Sequence, residues 1–329
     1  MTNSDELFTK SIMKFIKSIL LLFLLLIFGC NIISFEEPIS TLPEPEVNGE
    51  FIDDWTYKVY PNSQDNFDVA EFRLWTPENT TNLKAILILA HSNNSNALGL
   101  ARSESWQEYA NSENLGILAV HLKSFSTTAK HYSDARGGSG DALLLALDSI
   151  TQRNNIQYIN DLPFLMRGYS AGGMFSYHFS AFKPKRLIAF VNIRGSRLEE
   201  TPSINKNIPG LMLLGENESP IGNQHMKNIV ISKRREGGAW SYAIEPNQDH
   251  FGNLEPSDAL AKTFFSAALI QRLSNDTNQL ISIAENSGWL GDNVSKNTFP
   301  FNNYPNAVDE ASWLIDETFA HQWKNYQFE

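Results

Sequence analysis

Short runs of continuous apolar residues recur along the chain between residues 84 and 245. Runs of this length are typical of strands that are buried on both faces of a sheet. A segment at 67–76 instead alternates apolar and polar positions, which predicts a strand with only one buried face. The continuous runs predict strands over 84–90, 115–121, 162–167, 186–192, 209–215 and 239–245.

Helical patterns separate several of these runs. One helix is predicted over 141–151, with Asp141 as its N-cap after a glycine-rich turn. Another begins after Ser170 and ends near Phe182, and a third covers 257–273 with apolar residues at four-residue spacing. Strands that alternate with helices predict an α/β fold with a mainly parallel central sheet flanked by helices. Such folds bind ligands beyond the carboxyl ends of their strands.

The N-terminal segment has the pattern of an export signal. Lys10, Lys14 and Lys17 precede an apolar run over 19–28. This run is well short of the roughly 20 residues that a membrane-spanning helix needs. A basic start followed by a short apolar core predicts a secretory signal peptide over residues 1–29. Translation starts at either Met1 or Met13, since Met13 begins a more compact signal of the same kind.

The end of that run resembles the lipobox of bacterial lipoproteins. It reads Ile27-Phe28-Gly29-Cys30, and Phe28 is bulkier than is usual there. The resemblance implies that Cys30 is lipidated and becomes the mature N-terminus, which would anchor an exported protein to a membrane on its periplasmic or cell-surface face. The alternative is an ordinary signal peptide that is cut near a chance cysteine.

Four regions follow from this pattern. Residues 30–50 are predicted to form an extended tether, since prolines stiffen them and glutamates repel one another. Residues 51–275 hold the predicted α/β domain. The remaining region, 276–329, is rich in aromatic residues, and we expect it to pack on the core rather than to stack on sugar rings or aromatic acyl groups. There, Asp316 followed by Phe319 and Trp323 predicts a short capped helix.

Composition and charge narrow the function. The chain has 329 residues, of which 42% are hydrophobic, so it can form a sizeable core. Its net charge of -11 argues against a nucleic-acid partner, which would require a basic face. A single cysteine excludes both an intrachain disulfide and a cysteine-based zinc cluster. We expect neither a metal nor an organic cofactor.

A candidate nucleophile follows the predicted strand 162–167. Gly168-Tyr169-Ser170-Ala171-Gly172 fits the pattern G-x-S-x-G between a strand and a helix. The turn would hold the Ser170 hydroxyl clear of the sheet, and small residues on either side would let the neighbouring backbone approach. The amides of the following helix would face any anion that forms there.

A serine nucleophile needs a base and an acid to orient that base. Of seven histidines, His250 is the best placed, in a loop after the last predicted strand. Glu218 is the preferred acid because it lies beyond the strand at 209–215, and Glu216 is the alternative. Asp249 is adjacent to His250 and is expected to point away. The chain order Ser170, Glu218, His250 is that of the α/β-hydrolase fold.

An oxyanion hole requires two backbone donors. Ala171, directly after the nucleophile, is predicted to supply one. The other is expected from Ser92 or Asn93, in the loop after the strand at 84–90.

From about residue 65 to 275 the chain resembles the α/β-hydrolase superfamily, and most of all secreted bacterial feruloyl esterases and polyhydroxybutyrate depolymerases. The matching segments are AHSNNSN at 90–96, GYSAGGMF at 168–175, GENES at 215–219 and DHFGN at 249–253. The resemblance implies a serine hydrolase that cleaves a small-molecule or polymer-derived ester through an acyl-enzyme. The chain departs from it with glutamate where relatives commonly have aspartate, and with His91-Ser92 where many have His-Gly. Two alternatives are a peptidase or acyltransferase with the same three residues, and a binding lipoprotein that has only the fold.

Overall fold

A computed structural model describes residues 48–78, 82–126, 130–201, 203–274 and 279–328. The predicted signal segment, Cys30 and most of the predicted tether lie outside these described residues. The described part belongs to one compact unit, 48–329. Its first strand begins at Gly49, so the folded chain starts inside the predicted tether 30–50.

A nine-stranded sheet runs through this unit, in the order β1-β2-β3-β5-β4-β6-β7-β8-β9. The neighbours from β5 through β9 are parallel, while β1, β2 and β3 add an antiparallel edge. The strands are Gly49–Asp53 (β1), Thr56–Val59 (β2), Val69–Trp75 (β3), Ala85–Ala90 (β4), Leu115–Lys123 (β5), Phe164–Tyr169 (β6), Leu187–Ile193 (β7), Gly210–Gly215 (β8) and Trp240–Glu245 (β9).

Helices cover both faces of the sheet. The α-helices of the described residues are Glu104–Glu113 (α1), Ser139–Arg153 (α2), Ala171–Phe182 (α3), Pro220–Arg235 (α4), Glu255–Arg272 (α5) and Glu317–Asn325 (α6). Helices α2, α3 and α4 bury their apolar sides in one core, and α1, α5 and α6 in the other. None of these helices combines the length and the apolarity needed to cross a bilayer.

The central strands are buried on both sides because their apolar residues are continuous. In β4, Ile86 and Ile88 join one core, while Leu87 and Leu89 join the other. Side chains alternate between the faces of a strand, so an unbroken apolar run supplies both cores. Each such side chain contributes about 1.5–3 kcal/mol when it is fully buried.

The predicted elements correspond closely to these strands. Each of the six continuous apolar runs begins and ends within two residues of a strand. The alternating segment is β3, in which every second residue is buried. The prediction for Asp141 is wrong: helix α2 begins at Ser139, Gly138 is its N-cap, and Asp141 lies within its first turn. Gly138 adopts a φ of 113°, which a residue with a side chain rarely adopts.

The C-terminal region packs on the second core. It forms a three-stranded sheet of Trp289–Gly291 (β10), Thr298–Pro300 (β11) and Ser312–Leu314 (β12), followed by α6. Trp313 and Trp323 are fully buried, and Phe319 lies 5.0 Å from Phe264 of α5. Asp316 caps α6 by accepting a hydrogen bond of 2.7 Å from the Phe319 amide, as the sequence predicts. Trp313, Phe319 and Trp323 therefore serve burial.

Candidate active site

Ser170 occupies a sharp turn between β6 and α3. Its φ of 56° and ψ of -121° lie outside the backbone regions that residues other than glycine favour. Its amide donates to the Ile193 carbonyl at 2.7 Å. Gly168 is required here because a Cβ at that position would overlap the carbonyl of Gly172. A Cβ on Gly172 would lie 2.6 Å from the His91 carbonyl. Both glycines thus permit the close backbone approach that the sequence motif predicts.

Three predicted residues meet at this turn. Ser170 Oγ lies 3.0 Å from His250 Nε2, and His250 Nδ1 lies 2.8 Å from Glu218 Oε1. A carboxylate only accepts hydrogen bonds, so the proton of a neutral His250 is on Nδ1 and its Nε2 accepts from the serine hydroxyl. One third of the His250 side chain is exposed, against 11% for Glu218. A substrate therefore has access to the histidine, while the acid is shielded.

Glu218 and Glu216 have different positions. After β8 the chain turns, and the Glu218 amide donates to the Gly215 carbonyl at 3.2 Å, which directs Glu218 back towards His250. Glu216 is exposed, and it accepts a hydrogen bond of 2.8 Å from the Asn247 amide. Asp249 accepts from the Phe251 amide at 2.9 Å. Glu216 and Asp249 thus hold the backbone of the His250 loop, and Glu218 holds its side chain.

The residues predicted to donate hydrogen bonds to the oxyanion lie in the turn at Ser170 and in the loop that contacts it. Ala171 begins α3 and lines the cleft together with Asn93. Ser92 is not among the lining residues, and its hydroxyl contacts that of Ser95 at 2.7 Å. The loop that carries Ser92 and Asn93 contacts the Ser170 turn, because the Gly172 amide donates to the His91 carbonyl at 3.0 Å.

His131 holds the side chain of Asn93. The Ser133 amide donates to His131 Nδ1 at 3.2 Å, so the proton of the neutral ring is on Nε2, which lies 3.2 Å from Asn93 Oδ1. Burial lowers the pKa of His131, and the positive charge of Arg197 lowers it further. The lowered pKa favours the neutral ring, and the hydrogen bond from the Ser133 amide selects the tautomer that donates to Asn93.

Two further side chains support the His250 loop. The Tyr169 hydroxyl donates to the His250 carbonyl. The buried Arg194 guanidinium donates to the carbonyls of His250 at 3.4 Å and Gly252 at 3.1 Å, and to Glu245 Oε2 at 2.8 Å. Sequence reasoning missed both residues. For Arg194 the available signal was a charged residue directly after the buried strand β7, and its partner Glu245 is the charged last residue of the buried strand β9.

The cleft above Ser170 has a volume of about 1210 Å³. Most residues that line it have polar or charged side chains, and the described residues contribute only three apolar side chains, those of Ala171, Met174 and Ile221. Four histidines also line it: His131, His178, His225 and His250.

The remaining histidines have structural contacts. His178 Nδ1 donates to the Ser133 carbonyl at 2.9 Å, and burial lowers its pKa. His225 Nε2 donates to the Leu198 carbonyl at 2.7 Å. His121 lies 2.8 Å from Glu71 and is not among the residues that line the cleft. Within the described ranges, no group of three or more His, Cys, Asp and Glu side chains is arranged to hold a metal ion.

The strand order, the turn at Ser170 between a strand and a helix, and the chain order of Ser170, Glu218 and His250 define an α/β-hydrolase fold. This confirms the fold class predicted from the sequence. The chain matches no family model and no curated protein.

Solved structures with a similar fold include several hydrolases. A thermostable esterase is 17% identical with a TM-score of 0.43, and the match covers 54% of this chain and 51% of that esterase. The poly(3-hydroxybutyrate) depolymerase LpqC from Bordetella parapertussis is 13% identical with a TM-score of 0.47, over 63% of this chain and 88% of that one. S-formylglutathione hydrolase from Staphylococcus aureus is 14% identical with a TM-score of 0.43, over 65% of this chain and 96% of that one. The chain thus spans about half the length of the first of these proteins.

Proposed function

We propose that the protein is a serine hydrolase that cleaves a carboxylic ester. The observation that carries this proposal is the hydrogen-bonded line from Ser170 Oγ through His250 to Glu218. The line begins at a strained turn and at the N-terminus of α3, inside an open cleft. A nucleophile, a base and an acid in this arrangement are the groups that acyl transfer requires.

In the proposed mechanism, Ser170 Oγ attacks the ester carbonyl carbon as His250 Nε2 takes the hydroxyl proton. The resulting oxyanion accepts from the Ala171 amide and from an amide of the Ser92-Asn93 loop. Collapse of the tetrahedral intermediate breaks the bond to the leaving oxygen, which takes the proton from His250. A water then gives its proton to His250 and attacks the acyl-enzyme, and the acid product leaves as Ser170 regains its proton. Glu218 stabilises the imidazolium in both halves of the reaction.

A fluorophosphonate probe tests the nucleophile. We expect the probe to label the purified protein, and we expect Ser170→Ala to abolish both labelling and ester turnover. Ser196→Ala is the matched control, because Ser196 also lines the cleft and has no role in the mechanism. Labelling that survives Ser170→Ala would refute the assignment. Faster turnover of aminoacyl amides than of aryl esters by the wild type would instead indicate a peptidase.

We also propose that Cys30 carries a lipid anchor. The proposal is supported by the lipobox-like sequence and by the acidic, proline-containing segment behind it. We expect the wild-type protein to remain with membranes after a salt wash and Cys30→Ser to be released. A Cys30→Ser variant that still fractionates with membranes would place the anchor elsewhere.

A further inference from the structure

The cleft offers few apolar side chains to an alkyl substrate. Apart from Ala171, Met174 and Ile221, the described lining residues are glycines or have polar or charged side chains. Apolar surface gains free energy only when it leaves water for apolar contacts, at about 25 cal/mol per Å². Beyond these three side chains, an acyl chain in this cleft would meet hydroxyls, amides, imidazoles and guanidinium groups together with the carbon stems that carry them. The lining therefore suits a substrate with its own polar or charged group.

Most charged groups of the lining already have partners. Arg194 is paired with the buried Glu245 at 2.8 Å. Asp134 lies 2.8 Å from Arg136, and Glu199 lies 3.5 Å from the same guanidinium. Arg197 differs from these residues, because its exposed side chain has no hydrogen bond or ion pair with any residue that the structure describes.

The backbone beneath Arg197 is held firmly. His225 Nε2 donates to the Leu198 carbonyl at 2.7 Å, and the Tyr177 hydroxyl donates to the Glu199 carbonyl at 2.8 Å. The Leu198 amide donates to the Ser196 carbonyl at 3.0 Å, which closes a tight turn around Arg197. A fixed backbone lowers the entropic cost of holding a ligand with this side chain.

The Arg197 loop borders the nucleophile. It follows directly after β7, and the Ser170 amide donates a hydrogen bond to the carbonyl of Ile193 at the end of that strand. A Cβ on Gly195, two residues before Arg197, would contact the backbone around Ser170. The positive charge of Arg197 also reaches His131, another lining residue of the cleft, and helps to lower its pKa.

We propose that Arg197 binds a carboxylate of the substrate, so that the preferred esters carry a negative charge on the acyl or the alcohol part. This inference depends on the proposed ester hydrolysis at Ser170. A guanidinium presents paired donors that match the two oxygens of a carboxylate, and such charge-assisted bonds are the stronger class of hydrogen bond. In a chain of net charge -11, a local cation would also offset the general repulsion of an anionic substrate.

The test compares charged and neutral esters of matched size. One pair places the charge on the acyl part: the para-nitrophenyl monoester of adipic acid and para-nitrophenyl hexanoate. The second pair places it on the leaving group: para-carboxyphenyl hexanoate and its methyl ester. For each pair, the ratio of kcat/KM for the anionic ester to kcat/KM for the neutral ester measures the preference for charge.

We expect Arg197→Gln to lower this ratio by about 10-fold in one of the two pairs, mostly through KM, and to leave the neutral esters nearly unchanged. Arg197→Lys should retain part of the preference, since it keeps the charge but not the paired donors. Arg102→Gln is the matched control, because Arg102 is exposed, has no described partner and is not a lining residue of the cleft. Higher ionic strength should lower the wild-type ratio.

Two failures can be told apart. If neither neutral nor anionic esters are turned over by any variant, the proposed ester hydrolysis itself is wrong. If all four esters are hydrolysed and Arg197→Gln leaves both ratios within twofold of wild type, the proposed carboxylate subsite is wrong.

Discussion

Arg194 and Glu245 form an ion pair of 2.8 Å directly below the loop that carries His250. Both side chains are almost fully buried, with exposed fractions of 0% and 6%. Arg194 also donates to the His250, Gly252 and Asn253 carbonyls, so the pair links the ends of β7 and β9 to the His250 backbone. Removal of one partner from a buried ion pair is strongly destabilising, because it leaves the other charge uncompensated.

The C-terminal region completes this arrangement. The Tyr326 hydroxyl lies just beyond α6 and donates to Glu245 Oε2 at 2.9 Å. Ser257 Oγ lies 3.2 Å from the same oxygen. Burial and the negative charge of Glu245 both raise the pKa of Tyr326, so its hydroxyl remains a donor. The region predicted to pack on the core therefore also contacts the groups that hold His250.

Tyr326→Phe should test this link. The substitution keeps the ring but removes the contacts of its hydroxyl with the buried Glu245 carboxylate and with Ser257 Oγ. Loss of a hydrogen bond to a charged group typically lowers the free energy of unfolding by about 1.5–3 kcal/mol. We also expect a few-fold fall in kcat with little change in KM, since the His250 loop loses part of its support. Urea unfolding and steady-state kinetics on an aryl ester measure both effects.

Tyr304→Phe is the control for that variant. Tyr304 lies in the same C-terminal region but donates to Asp292 at 3.1 Å, away from Glu245. It should leave kcat unchanged. An equal loss of kcat in the two variants would show that the C-terminal region affects the site only through general stability.

The two carboxylates after β8 should differ sharply in catalysis. We expect Glu218→Gln to lower kcat by a factor of about 10³–10⁴, because the imidazolium loses its counter-charge and the histidine tautomer is no longer fixed. Glu216→Gln should cost less than about 10-fold, since an amide oxygen can still accept from the Asn247 amide. Measuring kcat for both on one aryl ester decides the matter. A larger loss at Glu216 would reverse the assignment, and small losses at both would place the acid elsewhere.

Much of the fold could be predicted because the central strands are buried on both faces. Continuous apolar runs such as β4 and β8 are distinctive, and their limits were predicted within two residues. The antiparallel edge strands β1 and β2 were missed, since short strands with exposed positions resemble loops. Helix α4 was also missed, because polar and charged residues obscure its apolar side.

Of the residues at the candidate site, the sequence predicts those that follow buried strands and misses those that support them through distant contacts. Ser170, Glu218 and His250 follow buried strands that end at one edge of a parallel sheet, so the pattern of strands brings them together in the prediction. The contacts of Arg194, Tyr169 and Tyr326 depend on side chains that meet across distant parts of the chain. No local pattern encodes those contacts. The prediction for Asp141 failed because a backbone turn, set by the positive φ of Gly138, begins α2 earlier.

Acid should weaken the folded state in part through His178. Burial lowers the pKa of this histidine in the folded protein below its ordinary value of 6.5. Above pH 6.5, His178 is neutral in the folded protein and in the unfolded chain, so its titration takes nothing from the free energy of unfolding. As the pH falls below this value, the unfolded chain binds the proton that the folded protein resists, so the free energy of unfolding decreases.

His178→Gln should therefore flatten the dependence of unfolding free energy on pH between about pH 7 and pH 5. Urea unfolding over this range measures the slope, which does not depend on any constant loss caused by the substitution. His321→Gln is the control, because His321 is largely exposed on α6. A slope that is the same in His178→Gln and in the wild type would contradict the prediction.

Backbone strain at Ser170 should be measurable as stability. Its φ of 56° and ψ of -121° suit glycine, and such strain costs about 1–3 kcal/mol in other residues. Ser170→Ala and Ser170→Gly both remove the hydroxyl and its contact with His250, but only glycine relieves the strain. Glycine also loses about 0.5–1 kcal/mol through its greater freedom in the unfolded chain. We therefore expect Ser170→Gly to unfold at a higher urea concentration than Ser170→Ala, by about 1 kcal/mol in free energy. At Ser196, which has no positive φ, the order should be reversed, with Ser196→Gly less stable than Ser196→Ala. If Ser170→Gly is less stable than Ser170→Ala under the same conditions, the turn at Ser170 stores no strain.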